Sequence, residues 1–131
     1  MAQAVGIQLP PVTPLRRFLS ADAHFFHYNI IKFCHRPYSS AEEMNWDLAE
    51  KWNSTIAPDD KVFYLGDFAY RSNDPEALIK LFKSLHGRKT LVVGSHDKES
   101  LNLPWESIVP QNEQPLEIEG VLLAHEGWPF Y

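Results

Sequence analysis

Four apolar runs in this 131-residue chain end on a carboxylate or an imidazole. Phe18-Leu19-Ser20-Ala21 leads into Asp22-Ala23-His24, and Val62-Phe63-Tyr64-Leu65 leads into Gly66-Asp67. Leu91-Val92-Val93 stops at Gly94-Ser95-His96-Asp97, and Val121-Leu122-Leu123-Ala124 stops at His125. Each loop alone has an ordinary explanation: Asp22 and Asp67 as turn or helix caps, His96 as a loop residue, His125 as a packed core histidine. Aspartate and histidine together are only 13 of the 131 residues, so four coincident strand ends need a common cause. Oxygen and imidazole donors brought to one point are the donor set of a divalent transition-metal ion. Asp22 and His24 are two apart, so an extended backbone directs both side chains the same way, about 7 Å apart at the backbone. Asp67 has two oxygens and suits a bridge between two ions about 3.5–4 Å apart.

The elements that must position these groups follow in chain order. Residues 1–15, with Pro10, Pro11 and Pro14, read as an irregular extension, and residues 16–131 as one domain. A strand over about 16–22 precedes a loop and a short helix or turn that Pro37 closes. Ser40 and Glu43 form a capping box for a helix with Met44, Leu48 and Trp52 on one face, ending by Ser54-Thr55. After the turn at Ala57–Asp60 a second strand runs to Asp67. Asp74 as N-cap and Pro75 at the first position start the next helix, with a stripe of Leu78, Leu81, Phe82 and Leu85 and a stop at Gly87. A strand over 90–93 follows, then a long connection over 98–115 and a hairpin over 116–123 turned at Glu119-Gly120. Strands alternating with helices predict right-handed crossovers, a mainly parallel sheet and an α/β fold. Ligands of such sheets gather at the carboxyl ends of the strands, where all four loops lie.

The totals set bounds. Hydrophobic residues at 44% exclude disorder, and a formal charge of −5 argues against a general duplex-binding surface. Cys34, the single cysteine, excludes a disulfide framework or thiolate cluster and reads as a small buried hydrophobe. No apolar run is long enough to span a membrane, and the N-terminus lacks the apolar core of a signal peptide. The expectation is a cytoplasmic protein in a reducing compartment.

The ordered motifs Ser20-Ala21-Asp22-Ala23-His24-Phe25-Phe26-His27, Gly66-Asp67-Phe68, Gly94-Ser95-His96-Asp97 and His125 resemble those of the calcineurin-like metallophosphoesterases, nearest to the small bacterial and phage members. The likeness runs from about Phe18 to Tyr131. It implies a metallophosphoesterase-like β-sandwich flanked by helices, and hydrolysis of a small phosphomonoester or phosphodiester by a water activated between two divalent ions. Carried over, Asp22 and His24 hold the first ion, Asp67 bridges both and His125 serves the second. His96 stabilises phosphoryl charge or protonates the leaving group, Asp97 orients its ring, and His27 approaches the substrate. Manganese is the first expectation for the metal, with iron, zinc or nickel also compatible with mixed ligation.

The sequence departs from the family pattern in two places. Ser95 stands where the family has an asparagine whose amide oxygen ligates the second ion. No Gly-His-x-His motif follows His125. The expectation is a domain incomplete at its C-terminus, with a weakly held second ion and an uncovered sheet edge open to self-association. The alternative is a non-catalytic metal-binding or interaction remnant of the family. A nucleotide-binding module without metal ranks last, for want of a glycine-rich phosphate loop.

Overall fold

The computed structural model describes residues 16–70, 72, 74–95 and 97–125. The expected extension over 1–15, His96 and the apolar stretch 127–131 lie outside these residues. The elements in order are β1 (Arg17–Ser20), α1 (Tyr28–Phe33), α2 (Ala41–Thr55), β2 (Lys61–Tyr64), α3 (Pro75–Ser84), β3 (Arg88–Val92), β4 (Ser107–Val109), β5 (Leu116–Ile118) and β6 (Val121–Leu123). β1 to β4 form one sheet in sequence order with every neighbouring pair parallel, so each connection climbs back to the same end. The fold is α/β, a four-stranded parallel sheet flanked by helices.

Both long helices start where their side chains satisfy free backbone N–H groups. Ser40 Oγ accepts from Glu43 N–H at 3.0 Å, and the Glu43 carboxylate reaches back one residue further than a standard capping box, to Ser39 N–H and Oγ. Asp74 Oδ1 accepts from Ala77 N–H at 3.1 Å, with Pro75 next in the helix. Trp52 of α2 and Leu78, Leu81 and Phe82 of α3 pack on Val62 and Tyr64 of β2 and Leu91 of β3 as one core. Tyr64, Phe68, Phe82 and Trp105 interlock within it, the Phe82 and Trp105 rings edge-on at 4.7 Å between centroids. Gly87 has a φ of +102°, and a Cβ there would press on Val62 and Ile56, so this turn requires glycine.

Two expectations are corrected. The span 98–115 is not simply a connection: it contains β4, paired in parallel with β3 through Thr90–Ser107 and Val92–Val109. Three residues between Pro104 and Pro110, two of them exposed at the sheet edge, are too few to show alternation. Cys34 is exposed, because α1 ends just before it and leaves no apolar wall over the thiol. Beyond the main sheet, a second layer is represented among the described residues only by the antiparallel β5–β6 hairpin. Its turn residue Glu119 forms a surface ion pair with Arg17 of β1.

Candidate metal centre

The loops after β1 and β2 are zipped together by backbone hydrogen bonds. Leu65 N–H donates to Ser20 O at 2.7 Å, Asp22 N–H to Gly66 O at 3.1 Å, His24 N–H to Asp67 O at 3.1 Å and Phe25 N–H to Phe68 O at 2.8 Å. The zipper continues the strand register past the end of the sheet. It places three chemically reactive residues in backbone conformations that L-residues avoid: φ is +56° at Asp22, +53° at His24 and +57° at Asp67. Such conformations cost about 1–3 kcal/mol each and persist only where the surroundings enforce them. Here the enforcement is visible. Ala23 N–H donates to the Tyr64 hydroxyl at 2.6 Å. The Arg36 guanidinium donates to Ala23 O at 2.6 Å and to Asp22 O at 2.7 Å. Full burial pushes the Tyr64 phenol well above its ordinary pKa, against the lowering effect of the Ala23 bond, so it stays neutral. Asp22 and His24 thus converge through paired left-handed turns and not through the extended spacing expected from sequence.

Ligand atoms of Asp22, His24 and Asp67 all lie within 4.8 Å of one another. His24 Nε2 is 3.8 Å from Asp67 Oδ2, and His125 Nε2 is 3.5 Å from the same oxygen. The side chains of these three residues are only 9–12% exposed, whereas Asp22 opens to solvent. His125 Nδ1 stands 2.7 Å from Leu65 O, which can only accept, so Nδ1 donates there and Nε2 is the ring atom that faces Asp67. Imidazole nitrogens of His24 and His125 and the carboxylates of Asp22 and Asp67 form a mixed nitrogen and oxygen donor set of the kind that holds divalent ions. The donor set therefore fits a divalent metal ion. His24 Nδ1 lies 3.3 Å from His27 Nδ1, which places His27 behind His24, its ring edge-on to Tyr70. That contact helps to orient the His24 ring.

The seat of His125 is built by two glycines and a glutamine. A Cβ on Gly66 or on Gly94 would overlap the His125 ring at Nδ1. Gln114 Nε2 donates to Val93 O at 2.9 Å, and its Oε1 accepts from His125 N–H at 3.2 Å, tying the end of β6 to the end of β3. Asp97 is a brace. Its Oδ2 accepts from Gly94 N–H at 2.6 Å and from Asp67 N–H at 2.9 Å, and its Oδ1 accepts from Phe68 N–H at 2.9 Å. At 1% exposure it holds two site loops together. Ser95 is exposed at the following turn, and His96 lies outside the described residues.

The structure thus brings together Asp22, His24, Asp67 and His125, with His27 and Asp97 touching them from behind. Sequence reasoning did not find Tyr64, Arg36, Gln114 or the role of Gly94. The glycine that precedes Asp67 was the one signal in the sequence: Gly66 has a φ of +93° and the His125 ring approaches it.

Residues 18–129 match the calcineurin-like phosphoesterase family. Over 81 residues the chain is 41% identical to an uncharacterized protein of Methanocaldococcus jannaschii, a match covering 62% of this chain and 46% of that protein. The crystal structure of a protein of unknown function from Aquifex aeolicus superposes with a TM-score of 0.64 at 28% identity, over 83% of this chain and 58% of that one. The chain therefore spans about half the length of the relatives it matches. The extent of the family match, ordered through all four strand-end loops, places this chain in the calcineurin-like phosphoesterase family.

Proposed function

We propose that this chain hydrolyses a phosphomonoester or phosphodiester with divalent metal ions held by Asp22, His24, Asp67 and His125, manganese being the first candidate. The observation that supports this reading most is the strain: three potential ligands sit in left-handed conformations and their donor atoms converge within 4.8 Å. A bound divalent cation supplies Lewis acidity, which lowers the pKa of water toward neutrality and offsets phosphoryl charge. The protein's own part is positional. Asp67 stands between the two imidazoles, His125 keeps its proton on Nδ1 for Leu65, and His27 keeps His24 oriented. Asp22 is the exposed member of the group. His96, two residues beyond Gly94 at the end of β3, is assigned to the leaving oxygen as proton donor.

A second reading, a metal-binding domain without turnover, is favoured by one feature: Ser95 offers a short hydroxyl where an amide oxygen would complete the second ion's shell. Hydrolysis of bis-p-nitrophenyl phosphate and p-nitrophenyl phosphate with added Mn²⁺ separates the two. The expected result is metal-dependent turnover that Asp67→Ala abolishes and Ser95→Asn raises. Absence of turnover in both the wild type and Ser95→Asn would leave the non-catalytic reading.

A further inference from the structure

The β5–β6 hairpin is seated firmly at only one of its ends. Among the described residues it forms a two-stranded sheet of its own and pairs with no strand of the main sheet. An isolated two-stranded hairpin is marginally stable in water, so its order depends on what holds it down. Val121 and Leu123 are two apart on β6 and point to the same face, yet Val121 is 53% exposed and Leu123 only 4%. At the turn, a Cβ on Gly120 would meet nothing within 4 Å. The Arg17–Glu119 ion pair there has both side chains more than half exposed, and such surface pairs contribute little. The buried end is the one that runs into His125.

Gln114 and His125 make that seat. Gln114 Nε2 donates to Val93 O at 2.9 Å and reaches Val109 O at 3.4 Å, while Oε1 accepts from His125 N–H at 3.2 Å. Gln114 stands two residues before β5 and His125 two residues after β6. One side chain therefore ties both ends of the hairpin to the ends of β3 and β4. The His125 ring adds the bond from Nδ1 to Leu65 O, between Gly66 and Gly94. Its other nitrogen faces Asp67 Oδ2 at 3.5 Å, so the ring that seats the hairpin is also a metal-ligand candidate.

Resting on the metal reading above, we infer that Gln114 is a positioning residue for the metal centre and that the β5–β6 hairpin docks on the sheet when His125 takes a divalent cation. Without the cation the hairpin is held by Gln114, Leu123 and one ring bond, and its local opening costs little. With the cation, opening must also detach His125 from the ion. The linkage is reciprocal: the factor by which the ion favours the docked hairpin is the factor by which docking raises affinity for the ion. Metal occupancy and the order of residues 116–125 are then one equilibrium.

Hydrogen exchange followed by mass spectrometry on the whole chain, in EDTA and in Mn²⁺ at about 100 times its dissociation constant, reads this coupling. Mn²⁺ is expected to slow exchange across 116–125 about tenfold or more. His125→Ala is expected to take up Mn²⁺ through Asp22, His24 and Asp67 but to lose that protection. Gln114→Leu is expected to speed hairpin exchange in EDTA and to weaken Mn²⁺ binding about tenfold or more, read by paramagnetic resonance of the free ion. A side chain that only stabilises the fold would lower the urea midpoint and leave Mn²⁺ affinity unchanged, and that result would overturn the role of Gln114. Mn²⁺ uptake with unchanged hairpin exchange, or equal protection in His125→Ala, would overturn the coupling and leave metal binding standing. No uptake by the wild type would overturn both.

Discussion

Replacing Asp97 tests whether the loops of the metal centre are held by a buried carboxylate. Three backbone N–H groups converge on it, two on Oδ2 at 2.6 and 2.9 Å and one on Oδ1 at 2.9 Å. Asp97→Asn retains one acceptor. With that oxygen at the Oδ2 position the bonds to Gly94 and Asp67 survive, and the new NH₂ faces Phe68 N–H, donor against donor. Losing one charge-assisted bond and leaving one buried N–H unsatisfied costs about 2–3 kcal/mol. Asp97→Ala strands all three donors, and with partial relief by water the cost is about 3–5 kcal/mol. Urea unfolding followed by circular dichroism measures both, the midpoint shift multiplied by a common slope giving the change. Because Asp67 N–H is one of the three donors, metal affinity falls about tenfold or more in Asp97→Asn even while the protein is folded. If Asp97 acts only by orienting His96, as the motif alone implied, stability stays within about 0.5 kcal/mol of wild type and only turnover falls. That result would refute the brace.

The glycine seat of His125 is tested by Gly94→Ala, whose Cβ meets the imidazole ring: the ring must move, Mn²⁺ binding weakens about tenfold or more, and an unchanged affinity would contradict the seat. Lys89 gives a pH prediction. Burial lowers its ammonium from an ordinary 10.5 to about 8. Below pH 8 it is charged in both states and burial opposes folding; between about 8 and 10.5 the unfolded chain holds the proton that the folded chain has released, so stability rises with pH. Lys89→Met, with a side chain suited to the space beside Phe82, is expected to be more stable than wild type at pH 7, with the difference narrowing toward pH 10.5; urea midpoints across that range check it. Arg36→Met removes both guanidinium bonds to the Asp22-Ala23 carbonyls while keeping the aliphatic stem, and is expected to weaken metal binding with a smaller loss of stability, read by the same two assays.

What could be read from the sequence was whatever local chemistry dictates. Ser40 and Asp74 announce their helices because a capping side chain satisfies N–H groups within three residues, and the stripes on α2 and α3 follow from helical spacing. The four strand-end loops were visible because apolar runs that all stop at Asp or His leave few bland explanations. The rest depends on contacts distant in sequence. Gln114 meets His125 eleven residues away, and Asp97 meets Asp67 and Phe68 from about thirty residues away, which no local pattern encodes. β4 is short because it only completes an edge already formed by β3. The left-handed backbone at Asp22, His24 and Asp67 was hidden for a different reason: it contradicts local preference, and only the pairing of two loops with Tyr64 and Arg36 enforces it.

The most direct measurement is electron paramagnetic resonance of Mn²⁺ titrated into the wild type and into Asp67→Ala at matched concentrations. Loss of the free-ion signal in the wild type, with the signal restored by Asp67→Ala, is the predicted result. Equal Mn²⁺ uptake by both proteins, or none by either, would contradict the placement of a metal at the meeting point of Asp22, His24, Asp67 and His125.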